Sequence, residues 1–216
     1  MSETRATIRT RIERHVGTAI STTVNDAIKE AFKEIQRAHN WPEMEASTSM
    51  SVSEGASTFT LPTDFKAEMN PEMSDQNTGY RRMAKIIKNG IESRDTDDEG
   101  RPLMYRIWEG EGKLYGSADE DYTFLMEYYK WLSDIESDIA PSDTDTQNLL
   151  DKVYRCVEAF AIAEGKRRQK KFDEANYWQN DSVSNPGIYE KRLKRLIHDD
   201  IENSLANADL FMELPG

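Results

Sequence analysis

Apolar residues Ile8, Ile12 and Val16 recur at every fourth position, and Gly17 follows at once. That spacing predicts a short first helix stopped by glycine. Thr23 and Asp26 stand at capping-box spacing, and Val24, Ile28, Ala31, Ile35 and Ala38 then mark one face of a second helix. The stripe ends at Trp41-Pro42, where proline lacks a donor and pushes the preceding residue out of helical geometry.

Beyond Pro42 the period changes. Thr48–Ser53 and Ser57–Leu61 are short, Ser/Thr-rich runs around Ser-Glu-Gly-Ala, which predicts a hairpin. Further strands are expected over Arg82–Lys88, Leu103–Trp108, Lys113–Tyr115 and Tyr122–Lys130. In the last of these, Tyr122, Phe124, Met126 and Tyr128 share one face by the two-residue period. Helical spacing returns after the acidic stretch Ser133–Thr146, with Thr144, Asp145 or Thr146 as candidate caps. Leu150, Val153, Val157, Phe160 and Ala161 form the apolar face of a helix expected to reach Ala175 or beyond. Asn185-Pro186 reads as the start of a last helix through Leu193, Ile197, Ile201 and Leu205.

These patterns predict an α+β fold, mainly α: a helical bundle with an inserted small β subdomain and an extended C-terminal tail. The expected divisions are 1–42 for the N-terminal helices, 43–132 for the β-rich insertion, 133–202 for the acidic loop and C-terminal helices, and 203–216 for the tail. Trp41 and Pro42 stand at the junction of bundle and insertion. In the tail, Leu210, Phe211, Met212 and Leu214 lie within five positions, too few to form a core of their own. They are expected to be buried only against another molecule.

Composition narrows the function. Hydrophobic residues make up 37% of the 216 positions and mean hydropathy is −0.79, which allows only a thin core. Net charge is −12, and Glu92–Asp145 alone holds 16 acids against 5 bases. Nucleic-acid affinity depends on cations meeting phosphates, so such a chain does not read as a sequence-specific binder. It suits a surface past which DNA slides without sticking. The single cysteine, Cys156, excludes an intrachain disulfide and sits among Val153, Val157 and Phe160 as a small buried hydrophobe. No apolar run approaches a membrane span and no signal peptide opens the chain, so synthesis in the cytoplasm and no membrane anchor are expected.

Candidate chemistry is sparse. Asp95, Asp97 and Glu99 precede Gly100 as in the first half of a calcium loop, but the twelfth position, which needs a bidentate Glu, is Arg106. His15, His39 and His198 lack a second ligand at helical spacing, and no phosphate loop or nucleophile elbow occurs. No metal and no cofactor are expected, and the chain does not read as an enzyme. The enzyme alternative is a peptidoglycan hydrolase using a carboxylate pair, with Glu127 the best-placed acid. A cytoplasmic interaction protein is the other alternative. One basic cluster stands out: Lys166, Arg167, Arg168, Lys170 and Lys171. It is read as a solvated face toward Asp173 and Glu174, as an inter-subunit salt-bridging surface, or as a DNA contact.

Taken in order, the helix pair ending in Trp41-Pro42, the run TFTLPTDF, the stretch GRPLMYRIWEGEGKLYG, the strand YTFLMEYYKWL and the helix carrying AFAIAEGKRRQ and EANYW form a set. The set resembles the tailed-phage head-to-tail adaptor proteins, also called head-completion or tail accessory proteins, over about Thr4 to Ile201. The resemblance implies a structural virion protein at the head–tail interface. It implies a ring of copies, commonly twelve, beneath the portal protein, extending the DNA channel and offering a platform to a tail tube or nozzle protein. DNA passes through such a channel without sequence-specific binding. The resemblance also implies a C-terminal tail that grips the portal, which Asn203–Gly216 matches. Some relatives are associated with cell-wall degradation, but no motif here carries that activity to named residues.

Overall fold

The computed structural model describes residues 2–18, 21–70, 72–75, 82–85, 100–135, 138–179 and 187–212. The fold mixes helix and sheet in two compact units: Met1–Glu43 with Leu132–Gly216, and Met44–Trp131.

The first unit is helical. Its elements are α1 (Arg5–Val16), α2 (Ser21–Ala38), α3 (Thr144–Arg168), α4 (Phe172–Trp178) and α5 (Ile188–Met212). α1 starts at a reciprocal capping box between Thr4 and Thr7 and stops at Gly17, whose φ of 82° suits a residue without a Cβ. Ile8, Ile12 and Val16 are buried, as the four-residue spacing predicts. α1, α2, α4 and α5 all pack on α3, which supplies the central apolar spine Leu149, Leu150, Val153, Cys156, Val157 and Ile162.

Several boundaries differ from the sequence expectation. Thr23 lies inside α2 instead of capping it, because Ser21, Thr22 and Thr23 offer similar hydroxyls and packing decides which comes first. Asp143 caps α3, its carboxylate accepting from the Asp145 and Thr146 amides at the positive helix end. α3 stops at Arg168, not near Ala175, and a turn at Lys170 leads into α4. The tail expected to be extended is helical through Met212, continuous with α5. No proline or glycine interrupts Ile188–Met212, so nothing in that stretch breaks the ladder. The Asn185-Pro186 cap lies outside the described residues.

The acidic segment after the sheet is tied to this unit. Lys33 reaches Asp134 at 3.0 Å, while Arg5 and Arg9 reach Asp138 at 2.9 and 3.0 Å. The two arginine hydrogen bonds hold the Asp138 carboxyl below its ordinary value. Leu132 donates its amide to the buried Gln36 side chain at 2.9 Å, giving that amide group a partner where water does not reach.

The second unit is one sheet in the order β1-β8-β4-β5-β6-β7-β2, with β3 also paired to β8. The strands are β1 (Glu45–Val52), β2 (Thr58–Thr60), β3 (Phe65–Glu68), β4 (Glu72–Asp75), β5 (Arg82–Lys85), β6 (Met104–Trp108), β7 (Glu111–Leu114) and β8 (Tyr122–Lys130). All described pairings are antiparallel except β5 with β6. β3 and β4 were not anticipated, and residues 86–88 of the expected Arg82–Lys88 strand lie outside the described residues.

The hairpin expected across Ser-Glu-Gly-Ala is not a ladder. β1 pairs with β8 over its full length, and β2 pairs with β7, so the two runs end opposite edges of the sheet. Laid flat, that path of seven strands would span roughly 29 Å at about 4.8 Å per spacing. The six Cα steps from Val52 to Thr58 reach at most about 21 Å. The sheet therefore curls, enclosing Met50, Val52, Phe59, Leu61, Met73, Tyr105, Leu114, Tyr122, Phe124, Met126 and Tyr128. The predicted inward face of β8 is the observed one. Phe59 packs flat on its cross-strand partner Gly112, where a Cβ would stand 2.1 Å from the ring. Each buried tyrosine hydroxyl finds a carboxylate: Tyr105 to Glu68, Tyr122 to Asp119 and Tyr128 to Asp64, at 2.7, 2.8 and 3.0 Å.

Candidate functional site

The helical unit holds a compact polar node that no sequence motif announced. After α2 the chain runs through His39 to Trp41, and Pro42 opens a 3-10 turn to Met44. Trp41 is fully buried; its indole N–H donates to the Ile35 carbonyl at 3.0 Å, and His39 meets it edge-on at 4.7 Å. From α3, the Lys152 ammonium lies 5.0 Å from the Trp41 ring centroid. The same ammonium donates to Asp200 of α5 at 2.6 Å and stands 3.6 Å from Glu43. The other Asp200 oxygen meets His39 Nε2 at 2.8 Å. His39 and Lys152 thus meet the tryptophan, Asp200 meets both of them, and Glu43 meets Lys152.

Electrostatics in the node are coupled. Burial works to raise the Asp200 carboxyl, but hydrogen bonds from Lys152 and His39, with the lysine and histidine charges, outweigh it and hold the group below its ordinary value. Among the described residues the second Glu43 oxygen is buried without a hydrogen-bond partner. His39 therefore has a spatial partner 161 positions away, which the reading of isolated histidines missed. Only contact information between α2 and α5 would have revealed it. His198 pairs with Glu202 at 3.1 Å on the exposed side of α5, and His15 packs edge-on to Trp178. Among the described residues no group of His, Cys, Asp and Glu is arranged to hold a metal ion.

The basic cluster lies at the α3–α4 corner. Lys166 is buried and reaches Glu174 at 2.6 Å, and Lys171 reaches the same carboxylate at 3.7 Å. The Lys166 hydrogen bond, reinforced by both lysine charges, holds Glu174 below the usual carboxylate value. Arg167 and Arg168 stand 3.9 and 3.4 Å from Glu164. Lys170 is exposed. The cluster therefore pairs with Glu164 and Glu174 of its own chain.

Leu210, Phe211 and Met212 fall on the last turn of α5, and Leu214 lies outside the described residues. Glu127 is exposed on β8 and accepts from Asn70 at 2.6 Å. Arg106, at the twelfth place of the calcium-like run, belongs to β6, with its guanidinium 5.5 Å from the Trp108 ring; Asp95, Asp97 and Glu99 lie outside the described residues. Burial pushes the Cys156 thiol up to about 12, so the thiol stays protonated and inert. Lys66 is lowered to about 8 by burial beside Met44 and Trp131. No described helix is long and apolar enough to cross a membrane.

A family model described as SU10 adaptor protein matches residues 3–184. That span takes in α1 to α4 and the whole sheet, and it ends before α5. No curated protein matches the chain.

Proposed function

The chain belongs to the SU10 adaptor protein family of phage head–tail adaptors, and from that premise we propose that it forms a ring beneath the portal protein. In this reading the ring extends the DNA channel and gives the tail tube or nozzle protein its attachment platform. The observation that carries the proposal is the family match across residues 3–184, which spans both compact units. Two features support it. α5 continues as helix to Met212 and ends in a turn carrying Leu210, Phe211 and Met212, which suits an amphipathic segment seated in a groove of the portal. The net charge of −12 suits a conduit that repels the phosphate backbone.

The tail is the testable part. Truncation of residues 206–216 removes the last turns of α5 and leaves Asp200 and the node in place. Circular dichroism and melting of the truncated protein are expected to stay close to the intact chain, while native mass spectrometry with the portal protein loses the ring. Normal rings from the truncated protein would refute the grip at the α5 terminus. Absence of any portal complex with the intact chain would refute the reading as a whole.

A further inference from the structure

We propose that the α3–α4 corner is a docking surface for a second copy of this chain, and that it receives the acidic turns of that copy's sheet. The inference rests on the ring reading and supplies its contact. The corner exposes Arg168, Phe172 and Tyr177, and arginine and aromatic residues are the types enriched at protein interfaces. Arg168 and Lys171 are 57% and 51% exposed in their side chains, Phe172 and Tyr177 are 60% and 66% exposed, and Lys170 is exposed between them. Arg14 and His15, both exposed, border it from the last turn of α1, since Trp178 packs on His15 and Gln169 donates to the Val16 carbonyl at 2.5 Å.

The backbone of the corner adds a separate observation. The Lys170 amide donates to Arg167 and the Lys171 amide to Lys166, at 2.9 and 3.0 Å, which is the Schellman pattern that ends a helix. Its central position is left-handed, with φ of 59°, and glycine is the residue that adopts this conformation without strain. The chain places a lysine there, adding a cation to the exposed corner against the local backbone preference.

The complementary surface lies on the sheet unit. Turn 53–56 and turn 116–121 are laced together by Gly55 N–H to the Ala118 carbonyl at 2.7 Å and Ala118 N–H to the Ala56 carbonyl at 3.0 Å. Asp121 accepts the Glu54 amide at 2.9 Å. Glu54, Asp119, Glu120 and Asp121 are all exposed there, and Arg101 is the cation beside them, over the Tyr122 ring. Opposite charge on two different patches gives a heterologous contact, which propagates head to tail and closes into a ring where the rotation allows. DNA is the weaker occupant. Glu164, Asp173 and Glu174 sit within the corner and repel phosphates, and the chain as a whole is acidic. The pair of Lys171 with Glu174 is solvent-exposed and that of Arg168 with the half-buried Glu164 is partly so, so exchanging them for a partner's carboxylates costs little.

The test uses the full chain, light and 15N-labelled copies mixed, assembled with the portal protein and coupled with a zero-length carbodiimide. Mixed-isotope links are expected between Lys170 or Lys171 and peptides holding Glu54, Glu120 or Asp121. Lys170→Glu with Lys171→Glu is expected to raise the concentration needed for ring formation about tenfold or more, and Glu120→Lys with Asp121→Lys in the same chain to restore it. Lys170→Gly is a folding control: melting holds or rises while assembly weakens. Rings from the reversal variant at unchanged concentration, or links confined to single-isotope pairs, overturn the contact and leave the ring reading intact. Retention of DNA that depends on Lys170 and Lys171 while assembly does not also overturns it. An intact chain that forms no ring overturns both.

Discussion

Replacing Lys152 with methionine removes the cation that faces both Asp200 and Glu43 while keeping most of the side chain's length over Trp41. The wild-type ammonium lies 2.6 Å from Asp200 and 3.6 Å from Glu43, and the Asp200 side chain is only 9% exposed. Breaking a buried pair by deleting one partner costs about 3–5 kcal/mol. Lys152 is 29% exposed, so water screens part of the loss, and about 2–3 kcal/mol is the working figure. With a urea slope of about 1–3 kcal/mol per molar, the midpoint should fall by roughly 1–2 M. The sign with pH follows from Asp200. Its folded value lies below its ordinary value of 3.8, so its contribution is complete above that value and is lost as pH falls through the folded one. The gap between wild type and Lys152→Met should be widest near pH 7 and narrow below about pH 4. Urea titrations at pH 7 and pH 3.5, with amide exchange in α5 as the local readout, measure both effects. A neutral-pH shift under about 0.5 kcal/mol, or a gap unchanged by acid, refutes the claim that this ion node holds α5 to the bundle.

Trp41→Ala should lower stability by about 3–5 kcal/mol, read as a denaturant midpoint, because a fully buried ring leaves a cavity and the Ile35 carbonyl loses its donor. Trp41→Phe should cost less, and a midpoint within error for the alanine variant would place the ring outside the core. Calcium at low millimolar concentration should leave the melting temperature unchanged, since Arg106 occupies the place a bidentate glutamate needs; a rise of several degrees would show a specific site.

Helix and strand are legible along the chain wherever one face repeats at a fixed period. Ile8, Ile12 and Val16 fixed α1 and Gly17 its end, because the period and the stop are both local. The alternation of Tyr122 to Tyr128 named the buried face of β8 for the same reason. Pro42 bars helix beyond Trp41 through its own ring chemistry, but α2 ends earlier, at Ala38, and Pro42 opens a 3-10 turn instead. The order of the motifs along the chain was also enough to indicate the adaptor family.

Where local preference leaves a choice open, long-range packing makes it. The runs flanking Ser-Glu-Gly-Ala have hairpin chemistry, yet β1 and β2 pair with β8 and β7, since the apolar face of a curled sheet is worth more than one turn. Lys170 carries no local signal for a helix stop; its left-handed turn exists because Ala175 buries and Lys166 meets Glu174 once α4 folds back. The node around Trp41 joins residues more than a hundred positions apart, and no periodicity encodes such a meeting. Distance along the chain is the common cause: contacts within a few residues are written in the pattern, and those across the fold are set only when every element competes for the same core.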